Sequence, residues 1–506
     1  MDAGGIATGR RRAKAALFLF CCGLGGSLPH GLGVWSPLPA LALALALGGY
    51  GFKAVFLTRS RVSLQAATPG KGEPVAGDLP AVDLVVAARD EEAVIGRLVE
   101  RLSQLDYPKE RLRFWVVDDG SEDGTAAVLA EQQLLHPQLQ VVRRPRNAGG
   151  GKSGALNTVL PQLTGRWLMV LDADADLQSD VLLRLVPFAE AGGWAAVQLR
   201  KAVVNAGHNL VTRCQAMEMA LDAVIQEGRL QAGGVVELRG NGQLLRREAV
   251  LACDGFNEAT VTDDLDLSFR LLLEGQPVGL LWNPPVQEEA VTSLAALWRQ
   301  RQRWAEGGLQ RFFDYWPRLW SEALPAQKRL DLAVFFLLQY GLPVMASADL
   351  LVSLLSQSAP AFWPLSLLAF GLSGGAILKG CLRPSEGPAL PAMDLANLAL
   401  GIFYLGHWFV VIPYTTLRMA LLPKTLVWAK TLHVGASVEP AQAASAPGAR
   451  GSQGSPAPAP AVLTGDGAPP VETPGMGVAG STLLFDDGAE APGPASDDGE
   501  LTTQMS

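Results

Sequence analysis

The sequence predicts an α/β chain: a doubly wound, mostly parallel sheet flanked by transmembrane helices. Two observations carry this. Between Val82 and about Pro285, short β-rich runs alternate with helical periods, the pattern of strand–helix–strand units in a parallel sheet. On either side lie apolar stretches close to the ~20 residues that cross a bilayer as a helix.

In chain order, Arg10-Arg11-Arg12-Ala13-Lys14 precedes an apolar stretch from Ala15 to about Trp35. A second runs from Leu38 to Leu57, with Arg59 and Arg61 after it. Two helices that go out and return leave both basic flanks in the cytosol. A secretory signal peptide also starts basic and then apolar, but no clear cleavage site follows. Residues 1–61 are therefore expected to hold two N-terminal transmembrane helices, and 62–80 a Pro/Gly-containing linker. The β-rich runs that follow are Asp83–Ala88, Phe114–Val117, Leu139–Arg143 and Trp167–Leu171, with helical periods such as Glu92–Leu105 and Gly124–Leu135 between them. An α/β domain over 81–325 results, ending in an aromatic, amphipathic stretch (Phe312, Phe313, Tyr315, Trp316, Trp320) that suits a membrane interface. Apolar segments at about 331–354, 362–380 and 395–414 form a C-terminal transmembrane region over 326–434. Arg418, Lys424, Trp428 and Lys430 read as an interfacial helix or a fourth span.

The formal net charge of −8 comes entirely from residues 435–506, where nine acidic residues face Arg450 alone. That tail is rich in Pro, Ala, Gly and Ser and is expected to be disordered. The remaining chain is charge-balanced, which argues against nucleic acid as a partner, and no feature points to a protein partner. The five cysteines form no CxxC and the five histidines no HExxH, so a disulfide framework and a zinc site are both disfavoured.

The chemistry lies at strand ends. The first strand runs into Arg89-Asp90-Glu91-Glu92 and the second into Asp118-Asp119-Gly120-Ser121. Ligands of doubly wound sheets bind beyond the carboxyl ends of the strands, so Asp90 and Asp119 can accept hydrogen bonds from a nucleotide; turn chemistry alone is the competing account. In Asn147–Asn157 a glycine-rich run leads to Lys152, but Arg146 stands where a Walker phosphate loop needs glycine. A glycine-rich approach to a helix with one cation remains, suited to a diphosphate, or a turn with a solvated lysine.

A buried strand then leads into Asp172-Ala173-Asp174-Ala175-Asp176. Strand alternation puts the three carboxylates on one side, where a hard divalent cation, Mg²⁺ or Mn²⁺, is their natural occupant. Arg239–Gln243 is a turn-rich segment that can contact an acceptor. In Val261–Arg270, Asp263 and Asp264 fall at a helix start, which keeps carboxylates ionised. Either general-base catalysis or capping accounts for them. Gln300, Arg303 and Trp304 offer phosphate donors and an apolar platform, or simply a basic interfacial helix.

Taken in order, Asp118-Asp119, Asp172-Ala173-Asp174, Thr262-Asp263-Asp264 and Gln300-x-x-Arg303-Trp304 resemble the family 2 inverting glycosyltransferases of GT-A fold, a Rossmann-like sheet, over about Val82 to Trp320. The resemblance implies that Asp90 and Asp119 hold uridine and that Lys152 sits near the donor. It also implies that Asp172 and Asp174 handle UDP and the metal, and that Asp264 is the catalytic base. Gln300, Arg303 and Trp304, with Asp263, would line the acceptor and pyrophosphate side. The family's Thr-Glu-Asp reads Thr262-Asp263-Asp264 here, with the third position kept. A narrower similarity, to the cyanobacterial diacylglycerol glucosyltransferases, lies in Gly151–Asn157, Glu237–Gln243, Gln287–Glu289, Arg303–Gly308 and Trp428–His433. It implies transfer of glucose from UDP-glucose to diacylglycerol. The few C-terminal spans support a lipid acceptor independently, being sparse for a glycan pore. A processive polysaccharide synthase and a polyprenyl-phosphate glycosyltransferase are the nearest alternatives. A non-catalytic UDP-sugar receptor belongs to a different class.

Overall fold

In the computed structural model, residues 11–31, 37–57, 79–321 and 324–422 are described. Arg59, Arg61, the linker up to residue 78, Lys424, Trp428, Lys430 and the acidic tail lie outside them.

The chain opens with α1 (Arg11–Gly31) and α2 (Leu38–Phe52), the latter continued by a π turn to Leu57. The catalytic domain follows as β1 (Val82–Ala88), α3 (Glu92–Ser103), β2 (Leu112–Asp118), α4 (Thr125–Leu135), β3 (Leu139–Arg143), α5 (Gly151–Val159), β4 (Trp167–Leu171) and α6 (Val181–Ala191). It goes on through β5 (Ala196–Val203), α7 (Leu210–Gln231), β6 (Gln243–Arg246), α8 (Arg247–Ala252), α9 (Asp263–Leu273), β7 (Val278–Glu288) and α10 (Leu294–Leu319). Last come α11 (Ala326–Phe336) and α12 (Leu342–Ser356), joined by a π turn, then α13 (Trp363–Leu382), α14 (Leu395–Leu405) and α15 (Trp408–Leu421).

The sheet has seven strands in the order β3-β2-β1-β4-β6-β5-β7. β1 pairs in parallel with β2 and β4, and β2 with β3, while β6 lies antiparallel between β4 and β5. The expected mostly parallel, doubly wound sheet is thus present. Its central strands are buried on both faces, as such sheets require. Along β1, Leu84 and Val86 point into one core with α3 and α6, while Val85 and Ala87 point into a second with α5 and α9. Asp83 is fully buried in the same strand, and it accepts the backbone N–H groups of Thr164 and Gly165 and the Trp115 indole, which satisfies a carboxylate that would otherwise be costly there.

Among the described residues, four helices are long and apolar enough to cross a membrane: Leu38–Leu57, Ala326–Ser356, Trp363–Leu382 and Leu395–Leu421. Of the expected N-terminal pair, Leu38–Leu57 is among these and α1 falls short of that measure. α1 is 21 residues long, but Arg11, Arg12 and Lys14 at its start and Gly, Ser, Pro and His residues toward its end dilute its hydropathy. It packs against α12 and α15, where Gly26 lies so close to the Met345 carbonyl that a Cβ would come within 2.2 Å of it.

The aromatic stretch on α10 also differs from a simple interfacial belt. Phe312, Phe313 and Tyr315 are buried, whereas Trp316 and Trp320 remain exposed. The reason is that α10 is amphipathic and lies between α9 and the spans. Phe312 meets Phe269 edge-on at 5.0 Å and Tyr340 at 5.9 Å, so these rings join catalytic domain to membrane helices.

Candidate active site

The carboxyl ends of β1 and β4, the starts of α5 and α9 and the middle of α10 converge on one cavity of about 1530 Å³. At its outer end Asp90 takes a left-handed backbone (φ 55°), a conformation that Asp tolerates better than most residues. Its carboxylate accepts both terminal nitrogens of Arg146 at 3.1 Å and the Glu122 N–H at 2.8 Å. Asp119, expected beside it, does not line the cavity. It is buried beneath the glycine-rich turn, where Arg144 bonds it at 2.8 Å and also reaches the Gly149 carbonyl. Burial pushes Asp119 above the usual carboxylate range, with Arg144 and Arg89 opposing. The strand that delivers Asp119 buries it because the next turn folds back over it, a placement that no local pattern reveals.

Further in, Lys152 projects from the first turn of α5. Its Nζ donates to Asp172 Oδ1 at 2.5 Å and to the Gly240 carbonyl at 3.2 Å. Burial disfavours its charge, yet Asp172 and Asp263 hold its pKa above the ordinary lysine value. Asp172 and Asp174 both line the cavity, and Asp174 Oδ2 accepts the Glu289 N–H at 3.1 Å. Asp176 does not join them. The backbone turns after Leu171 and loses strand alternation; Asp176 then bridges to Gln287 and pairs with Arg101 at 3.3 Å.

Asp263 and Asp264 occupy the first turn of α9, as expected from the sequence. Burial, then the neighbouring Asp263, pushes the Asp264 carboxyl up to about 6, with Lys152 and Arg239 opposing. Gly240, in a left-handed conformation (φ 83°), lets the loop pass within 3.4 Å of the Asp264 carboxylate, measured from the position a Cβ would take. Gln300, Arg303 and Trp304 line the same cavity from α10.

Several residues escaped sequence reasoning. Arg301, between Gln300 and Arg303, is fully buried and bonds Glu218 of α7. Glu218 also accepts Tyr404 Oη at 2.9 Å and Trp408 Nε1 at 3.0 Å from the last span, while the Arg301 guanidinium lies 4.0 Å over the Trp304 ring. Glu237 is another. Its burial alone would raise its pKa, but Arg311, Arg229 and Arg239 hold it at about 2. A lone buried acid gives no periodic signal, on a helix as with Glu218 or between α7 and β6 as with Glu237; the nearest hint was Glu237–Gln243, whose resemblance and turn-rich end drew notice without marking Glu237.

The inner end of the cavity changes character. Its walls there are Leu338, Tyr340, Ala369, Phe370, Leu405 and Phe409, all from the helices long and apolar enough to span a membrane. One space therefore runs from the carboxylates to apolar walls.

Residues 80–307 match the model of the "Glycosyltransferase like family 2" proteins. The beta-monoglucosyldiacylglycerol synthase of Synechocystis sp. is 45% identical over 448 residues, covering 85% of this chain and 90% of that protein. The chain belongs to this glycosyltransferase family. The beta-monoglucosyldiacylglycerol synthase of Nostoc sp. is 41% identical over 429 residues, 84% of this chain and 90% of that protein. Among solved structures, the mannosyltransferase of Pyrobaculum calidifontis in complex with GDP-Man and Mn²⁺ superposes with a TM-score of 0.52 at 22% identity, covering 76% of this chain and 99% of its own. That likeness bears on the fold, which is the GT-A fold expected from the motif set. As a family 2 glycosyltransferase, the chain is an enzyme that transfers a sugar.

Proposed function

We propose that this chain transfers glucose from UDP-glucose to the sn-3 hydroxyl of 1,2-diacylglycerol, inverting the anomeric configuration and giving beta-monoglucosyldiacylglycerol. One observation carries the acceptor assignment: the cavity that holds Asp172 and Asp264 continues between apolar span residues such as Phe370 and Phe409. A two-chain lipid can place its acyl groups there while its hydroxyl meets the carboxylates. The names of the cyanobacterial relatives support the same reading.

Asp264 takes the proton from the hydroxyl as the oxygen attacks the anomeric carbon and UDP departs. A base near pKa 6 is ionised at neutral pH yet basic enough to accept a proton in the transition state. Lys152, fixed between Asp172 and Gly240, adds positive charge on the leaving-group side. Asp172 and Asp174 fit a divalent cation: both are hard oxygen donors, both line the cavity, and the Lys152 ammonium on Asp172 marks a position that favours positive charge. No three His, Cys, Asp or Glu residues cluster as a metal site among the described residues. A two-carboxylate site completed by substrate phosphates and water is the usual arrangement for Mg²⁺, with Mn²⁺ also suited. Such an ion, when bound, neutralises charge developing on the diphosphate. Asp90 and Arg146 border the nucleotide end, with Asp119 holding the turn beneath. Gln300, Arg303, Trp304 and Asp263 serve the acceptor and pyrophosphate side.

We place the catalytic domain in the cytosol, the source of nucleotide sugar. The basic start of α1 supports this, because Arg11 bonds Asp314 of α10 on the catalytic side. The assigned boundaries are a membrane-anchoring N-terminus to residue 61, a linker to 80, the GT-A domain over 81–325, membrane helices over 326–434 and an acidic tail over 435–506.

The test is incubation of the purified full chain with UDP-glucose, Mg²⁺ and diacylglycerol in lipid nanodiscs, followed by mass spectrometry of the lipid. One hexose per diacylglycerol is expected. A polymer, an acid-labile polyprenyl phosphodiester or an unchanged lipid overturns the assignment.

A further inference from the structure

A largely buried ion pair in the same cavity has no part in the roles assigned above. Lys201 lies near the end of β5 and Glu288 ends β7; Lys201 Nζ lies 2.8 Å from Glu288 Oε2, with side chains 12% and 15% exposed. Removing two charges from water is costly, and replacing such a pair by apolar side chains is often neutral or stabilising, so its presence at a cavity wall needs a reason beyond folding.

Three features locate what the pair faces. The first is a register shift between β5 and β7. Leu199 pairs with Leu281 but Lys201 with Val286, because the four residues Trp282-Asn283-Pro284-Pro285 on β7 stand opposite Arg200 alone on β5. Bulges of this kind re-aim side chains, and here both Lys201 and Glu288 line the cavity. The second is Asn241, whose Nδ2 donates to Glu288 Oε2 at 3.3 Å while its Oδ1 accepts the Asp172 N–H at 3.1 Å. The pair is thereby braced at a fixed place relative to the diphosphate end. The third is that Lys201 feels the charges of both Asp172 and Asp264, and its ammonium stands 6.0 Å from the Trp304 ring centroid.

In a single displacement the sugar lies between the leaving diphosphate and the base, which is the space bounded by Asp172 and Asp264. Other charges around it are committed: Lys152 to Asp172 and Gly240, and Arg239 to Asp222 and Glu237. A hexose presents hydroxyls that both donate and accept, and an apolar ring face. A carboxylate accepts from hydroxyls, an ammonium has three donors, and an aromatic ring supplies the apolar platform.

We propose that the Lys201–Glu288 pair, braced by Asn241 and flanked by Trp304, recognises the hydroxyl groups of the donor's hexose. The inference deepens the donor reading above and rests on it. The pair is a specificity determinant for the sugar and leaves the nucleotide untouched.

The experiment compares UDP with UDP-glucose, both titrated calorimetrically into the full chain with Mg²⁺ and without diacylglycerol, for the wild type, Lys201→Met and Glu288→Gln. In both variants UDP is expected to bind within about threefold of wild type. Affinity for UDP-glucose is expected to fall roughly tenfold or more, the scale of a lost charge-assisted hydrogen bond. The KM for UDP-glucose rises with it, while the KM for diacylglycerol stays put. UDP-glucose affinity unchanged in both variants overturns the proposal. So does parallel loss of UDP binding, which places the pair in the nucleotide site or in folding. A wild-type chain that binds neither ligand refutes the donor assignment itself, and the pair's role falls with it.

Discussion

Asp264→Asn separates catalysis from stability in one substitution. Asp264 is raised from 3.8 to about 6, first by burial and then by Asp263. The folded chain therefore holds a proton there more tightly than the unfolded chain does. Stability falls as pH rises between those values, and the cost of the ionised group is fully present above about pH 6. At about 1.4 kcal/mol per pH unit, ionised Asp264 costs the folded state about 3 kcal/mol at pH 7.5. Asparagine keeps the shape and removes the charge. The variant should melt higher than wild type at pH 7.5, by several degrees at roughly 2–4 °C per kcal/mol for a domain of this size. That advantage should vanish near pH 4, where wild-type Asp264 is itself protonated. Loss of the base should lower the transfer rate about 10²- to 10⁴-fold, with UDP affinity retained. Thermal unfolding in detergent at the two pH values, alongside single-turnover transfer, makes the comparison. A variant that melts no higher than wild type at pH 7.5 refutes the electrostatic account. Turnover near wild type refutes the base assignment.

Other expectations follow from the same geometry. The transfer rate of the wild type should fall tenfold per pH unit below about pH 6 as Asp264 protonates; a flat profile down to pH 5 contradicts it. Asp174→Ala, or EDTA added to wild type, should abolish transfer, and full activity in EDTA rules out the metal role of the Asp172–Asp174 pair. Glu218→Ala leaves Arg301 buried without its carboxylate, at about 3–5 kcal/mol. That variant and Glu218→Gln, which keeps the shape but also removes the charge, should each lower the melting temperature by a similar several degrees, and a Glu218→Gln variant that melts with wild type argues against the charge pairing. Ala369→Trp narrows the apolar arm of the cavity and should raise the KM for diacylglycerol with that for UDP-glucose unchanged; the reverse pattern sinks the lipid-entry reading.

Much of the catalytic domain was legible because it is local. β3 and β4 match their expected residues and β1 and β2 extend theirs by one to three, since apolar β-branched runs bounded by turn residues leave few alternatives. The start of α9 was equally plain, two aspartates preceding an amphipathic period. β6, which inserts antiparallel between β4 and β5, was not: four residues carry too little pattern.

What the sequence alone determined is an inventory: the first four strands, the carboxylates at their ends and the apolar segments long enough for a bilayer. Only the tertiary structure decided which of those carboxylates share a space. It drew Asp172, Asp174 and Asp264 together from segments some ninety residues apart and buried Asp119 under a turn. It also turned Asp176 away and brought Lys201 against Glu288. Local propensity depends on a residue's neighbours in the chain, whereas a site is made by long-range packing, and the burial that packing imposes sets the charge each group can carry.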